Sequence, residues 1–172
     1  ILNGGHLIDP ANQIDAGRDV GIKDGKIARV AEEIPPGDAP RSIDIRGLFI
    51  TPGLIDMPLH AYHTRDLVPG AWSDSLHPDA HLLKEGVTTC VDTGTAGGQE
   101  MDHFRESVID RSTIRVLAYV NIAGAGMGAP EQIVAGFDPA RAAAAAACHE
   151  NRGALSRNET PGRSCGNAAH SI

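Results

Sequence analysis

The first fifty positions read as a run of short strands, after which short apolar runs are separated by loops and short helical stretches. Asp19 to Val30 alternates on both sides of Asp24-Gly25. Such a pair supplies the positive φ angles of a tight hairpin, so two antiparallel strands are predicted there. Ile1 to Pro10 reads as two short pairing segments around a Gly4-Gly5 turn, Ile34 to Arg41 as a loop carrying Pro35-Pro36-Gly37, and Ser42 to Gly47 as one more strand. The stretch from Gly47 to His60 then holds an apolar run bounded by Pro52-Gly53 and reaching Asp56 and His60. It predicts a buried strand that delivers polar groups at its C-terminal end.

From His60 onward, strands and helices alternate. Ala61 to His77 is a polar loop of a length more often functional than decorative. Pro78 to Glu85 forms a short helix with Pro78 in its first turn and Gly86 at its C-terminal stop. Val87 to Asp92 is a β-branched strand, followed by the Thr93 to Gly98 loop and a helix over Gln99 to Asp110, whose Met101, Phe104 and Val108 make an apolar stripe. Ile114 to Ile122 is a third strand, with glycine-rich Ala123 to Gly128 after it. Asp138 as cap, Pro139 and the alanine run to Ala147 predict a helix, and from Asn151 the polar chain frays.

Composition changes the picture mainly by exclusion. The 172 residues carry a formal charge of −7 without a basic cluster, which argues against nucleic acid. No apolar run approaches the roughly 18 residues of a membrane span and no leader is visible, so a cytoplasmic soluble protein is expected. Cys90, Cys148 and Cys165 are odd in number and widely spaced, which disfavours a disulfide framework. Aromatic residues are few, so the core is aliphatic and thin. The chain starts at Ile1, which suggests a trimmed N-terminus.

Pro52-Gly53-Leu54-Ile55-Asp56-Met57-Pro58-Leu59-His60 resembles the first barrel strand of the amidohydrolase superfamily, P-G-hydrophobic-hydrophobic-D-x-H-x-H, in its dihydroorotase-like and deacetylase-like branch. Asp19-Val20-Gly21-Ile22-Lys23-Asp24-Gly25-Lys26-Ile27 and Gly86-Val87-Thr88-Thr89 with Asp92 and Gly94 are similar to further strings of that family. The resemblance covers about Ile1 to Ile122. It implies an α/β chain: the N-terminal half of a β-sandwich over residues 1–51, the first three strand-helix units of a (β/α)8 barrel over 52–150, and a frayed tail over 151–172. The barrel is incomplete, since a whole one uses roughly 250 residues.

By the same resemblance the activity is hydrolysis of C–N bonds in amides, cyclic amides or N-acyl groups of small molecules. Zinc or another divalent metal activates the water, and an aspartate shuttles its proton. His60 stands at the second histidine of the motif and is the implied metal ligand; Pro58 occupies the first. The bridging lysine that relatives carry on the fourth strand has no counterpart, since no lysine follows Lys84. Asp56, Asp92, Gly94 and Asn121 are the implied substrate-binding or site-shaping positions, and no catalytic residue is assigned. Each also has an ordinary reading: His60 as a hydrogen-bonded strand-end residue, Asp56 as an acceptor of backbone donors, Gly94 as a tight turn, Asn121 as turn polarity.

Alternatives stay open. His63 and His77 could join His60 in a makeshift site, although an odd spacing takes His63 off that face. Cys148, His149, Cys165 and His170 match no standard zinc spacing. Gly94 to Gly98 and Gly124 to Gly128 follow strands, as dinucleotide-binding loops do, but neither spells G-x-G-x-x-G. The expectation is therefore a truncated, catalytically impaired amidohydrolase, with a non-catalytic, partner-dependent remnant as the alternative. An unclosed barrel edge favours association or homo-oligomers.

Overall fold

The computed structural model describes residues 1–65, 70–72 and 74–153. The chain divides into two compact units, Ile1–Gly53 and Leu54–Ile172. The first is a β-sheet built on β1 (Leu2–Asp9), β2 (Ile14–Lys23), β3 (Lys26–Ala31), β4 (Ile43–Asp44) and β5 (Phe49–Ile50). β1 pairs antiparallel with β2, which pairs antiparallel with β3; β4 and then β5 lie parallel along the other edge of β1. The Asp24-Gly25 turn has the expected left-handed pair, φ 51° and 72°.

Gly4-Gly5 is not a turn. β1 runs straight through it as one strand, with a register shift between Leu2 and Gly5 and φ 78° at Gly4. The physical reason lies on β2: buried Asp19 accepts the Gly4 amide at 2.7 Å, the Ile34 amide at 2.8 Å and the Asn3 side-chain amide at 2.9 Å. A left-handed glycine lets the strand bulge toward that carboxylate instead of reversing. These amides hold the Asp19 carboxyl below the usual range despite burial.

The second unit is a parallel sheet in the order β6 (Leu54–Leu59), β7 (Val87–Asp92), β8 (Arg115–Ala118). Between strands lie α1 (Pro78–His81), prolonged by a 3-10 turn that stops at left-handed Gly86, and α2 (Met101–Phe104), which widens into a π turn over Arg105–Ile109. α3 (Pro139–Gly153) starts as predicted, the Asp138 carboxylate accepting the Arg141 amide at 2.8 Å. Tyr62, Cys90, Met101, Phe104, Val116 and Ala145 belong to one core cluster. Cys90 is a free thiol pushed up to about 11, chiefly by burial. Cys148, by contrast, is disulfide-bonded, although the number and spacing of the cysteines disfavour a disulfide framework.

β6 is not the buried strand predicted. Leu54, Ile55 and Met57 are 53%, 65% and 60% exposed, because among the described residues β6 pairs only with β7 and its other edge has no strand. An apolar run is buried by what covers it, and here the cover is missing from one side. An edge strand also tolerates Pro58, which has no amide to donate. The pairing slips there: Asp56 stands opposite Cys90 and Leu59 opposite Asp92, so β6 spends one extra residue across Met57-Pro58. β8 ends at Ala118, earlier than the expected Ile122, because the chain leaves the ladder to pair with the loop after β7. Among the described residues no helix is long and apolar enough to cross a membrane.

Candidate functional site

The C-terminal ends of β6 and β7 meet at Asp92. Its side chain is fully buried and takes four donors: the Gly94 amide at 3.0 Å and the Thr95 amide at 2.7 Å on one oxygen, the Ala61 amide at 2.8 Å and the Thr95 hydroxyl at 2.9 Å on the other. Each donor comes from a strand end or the loop just past it, so the carboxylate ties the loop after β6 to the loop after β7. The Thr95 hydroxyl also meets His60 Nδ1 at 2.9 Å. His60, Thr95 and Asp92 therefore form one hydrogen-bonded chain that ends on a half-buried imidazole.

The Trp72 ring packs against the imidazole at a tilt of 52°, ring centroids 5.1 Å apart. Trp72 is held by its own backbone: its amide donates to Met127 O at 3.0 Å, and its carbonyl accepts the Thr64 hydroxyl. The two glycine-rich loops are used against each other. Asn121 donates its amide to Ala96 O, Gln99 to Gly124 O and Met127 to Thr95 O, at 2.9–3.0 Å. A Cβ on Gly97 would meet Ala123 O at 2.0 Å, and one on Gly126 would meet Thr95 O at 2.4 Å. These glycines permit close backbone packing, and a short 3-10 turn over Ala129–Gln132 follows the second cluster. The dinucleotide reading fails on that ground, since the loop amides already face loop carbonyls and no long helix opens there.

A second polar group lies under the first loop. Glu100, fully buried, accepts Arg65 Nη2 at 2.8 Å, Arg65 Nε at 3.2 Å, the Arg65 amide at 3.2 Å and the Tyr62 hydroxyl at 2.6 Å. Burial pushes its carboxyl up, but the Arg65 and Tyr62 hydrogen bonds outweigh that and hold it below the ordinary value. Burial and the same carboxylate raise the Tyr62 hydroxyl. The Tyr62 proton is spent on Glu100, so His103 Nδ1 donates to the phenol oxygen across 2.7 Å. Tyr62 also stacks on Phe104, centroids 4.7 Å apart.

Of the positions singled out in the sequence, His60, Asp92 and Gly94 come together. Asp56 is half-buried on β6, just before the slip in pairing, and stands outside the His60 chain. Asn121 ties loops: its side-chain amide donates to Gly94 O at 2.9 Å and Glu131 Oε1 at 2.7 Å, and its oxygen accepts the Ala123 amide at 2.9 Å. His63 and His77 are exposed, and no three His, Cys, Asp or Glu groups among the described residues could hold a metal ion. The makeshift histidine site is not formed among them. Cys165 and His170 lie outside the described residues. Sequence reasoning missed Thr95, Trp72, Tyr62, Arg65 and Glu100. Only Thr95 carried a local signal: an Asp whose carboxylate caps amides two and three residues on is a common turn.

The fold and site together describe an α/β protein whose polar groups collect beyond the carboxyl ends of parallel strands. No family model matches the sequence. It is 37% identical over 111 residues to a deacetylase of Agrobacterium fabrum, across 64% of this chain and 26% of that protein. A deacetylase of Brucella anthropi is 33% identical over 121 residues, across 69% and 28%, and a dihydroorotase of Anaeromyxobacter sp. strain K is 37% identical over 98 residues, across 56% and 19%. A dihydroorotase crystal structure superposes with a TM-score of 0.67 at 27% identity, across 87% of this chain and 39% of that one. The chain belongs to this amidohydrolase-like family of hydrolases, and the partial coverage fits its N-terminal part. It spans 26% and 28% of the length of the two deacetylases.

Proposed function

We propose that this polypeptide is one corner of a metal-dependent amidohydrolase acting on a C–N bond of a small acylated or cyclic amide. On this reading residues 1–51 are part of the flanking sandwich and 52–150 are the first three units of a (β/α)8 barrel. His60, Asp92, Gly94 and Asn121 then lie at the barrel mouth, with Asp56 on the strand beneath it. The observation that carries it is the position of His60. It sits at the end of the first parallel strand, anchored through Thr95 to Asp92, and stands in the sequence where the motif has its second histidine.

The described residues do not fit a metal centre by themselves. Pro58 stands where the partner imidazole would be, and the extra residue across Met57-Pro58 breaks the alternation that would align positions 58 and 60. A zinc ion typically needs three protein ligands and a water, and His60 supplies one. No chemical step is therefore assigned to this chain alone, and we read it as catalytically impaired, whatever the whole protein does.

Exposed Leu54, Ile55 and Met57 on β6 and Leu117 on β8 favour a second feature, association through the open sheet. The test is hydrolysis by the purified chain, with zinc supplied, of N-acetyl amino acids and dihydroorotate. No amine or ring-opened product is expected above the uncatalysed rate. Turnover that disappears in His60→Gln would overturn the impaired reading.

A further inference from the structure

We infer that Thr95 is a positioning residue that fixes which nitrogen of His60 carries the proton. A threonine hydroxyl has one proton to give, and the Asp92 oxygen 2.9 Å away also faces the Ala61 amide, so it acts as an acceptor throughout. The Thr95 proton goes to Asp92. Toward His60 the same oxygen can then only accept, and the contact at 2.9 Å requires a proton on Nδ1. Nε2 is left with its lone pair at the end of β6.

The arrangement is held from every side. Thr95 is fully buried, its amide is spent on Asp92 and its carbonyl on Met127, while the tilted Trp72 ring packs against His60. Rotation of either partner would leave a buried hydroxyl or carboxylate without its donor. Nε2 is thereby preset as the acceptor for a hydrogen-bond donor such as a substrate N–H. Naming that ligand rests on the proposed function; the tautomer does not.

The experiment is long-range 1H–15N NMR on the labelled full chain at neutral pH, with His60 assigned by loss of its signals in His60→Gln. His60 of the unsubstituted protein should be protonated at Nδ1, Thr95→Ser should keep that pattern, and Thr95→Val should lose it, the Nε2–H form becoming the major one. An Nε2–H signature in the unsubstituted protein, which needs no variant to fold, overturns the inference; so does a folded Thr95→Val with the original pattern.

Discussion

Arg65→Met isolates the buried Glu100 group. The substitution keeps an apolar stem and deletes two charge-assisted hydrogen bonds, at 2.8 and 3.2 Å, to a carboxylate with no exposed side-chain surface. Such bonds are worth about 1.5–3 kcal/mol each. The Arg65 side chain is 47% exposed, so water screens the pair and the loss should be about 2–3 kcal/mol at neutral pH. The pH dependence is the sharper signature. In the native protein the Glu100 carboxyl is depressed below 4.5, so its contribution is present above that value and is lost as pH falls through the folded one. Without Arg65, burial dominates and the folded value rises above the unfolded one, so the variant loses stability as pH rises. The difference between the two proteins should therefore grow from about 1 kcal/mol in acid to the full amount at neutrality, since a protonated carboxyl needs no cation. Urea unfolding from pH 3 to 8, followed by circular dichroism, measures it. Parallel stability curves would refute the reasoning, because they would mean that Arg65 does not neutralise Glu100.

Three further outcomes follow from the same structure. Asp92→Asn places an amide where the Ala61 amide and Thr95 hydroxyl both donate, and thermal unfolding should show a loss of about 1–3 kcal/mol; an unchanged midpoint would contradict the hub. Gly97→Ala forces a Cβ against Ala123 O, whereas Gly136→Ala meets nothing within 4 Å; chemical denaturation should show the first losing at least about 2 kcal/mol and the second almost nothing. Pro58→His restores the histidine but neither the missing donors nor the even spacing lost in the β6 slip, so zinc calorimetry should find no tight site.

Local chemistry was the legible part of this fold. Asp24-Gly25, the Asp138 cap, Gly86 and the strand Val87–Asp92 are set by neighbours within a few residues, and each is found where the sequence places it. Gly4-Gly5 was misread because bulge and turn share the same residues, and the choice is made by Asp19, fifteen positions away. β6 was misread because periodicity tells which residues are apolar, not whether anything covers them. In the site, His60 and Asp92 were visible through a family pattern. Glu100 was not, since its partners Tyr62 and Arg65 lie 38 and 35 residues away and no spacing rule connects an acid on one loop to a phenol on another.

The account stands or falls on metal content. After expression in zinc-supplemented medium and gel filtration, elemental analysis of the full chain should find well under one zinc per polypeptide, unchanged in His60→Gln. About two zinc ions per polypeptide, the content of a binuclear hydrolase site, retained through gel filtration and lost in His60→Gln, would contradict it.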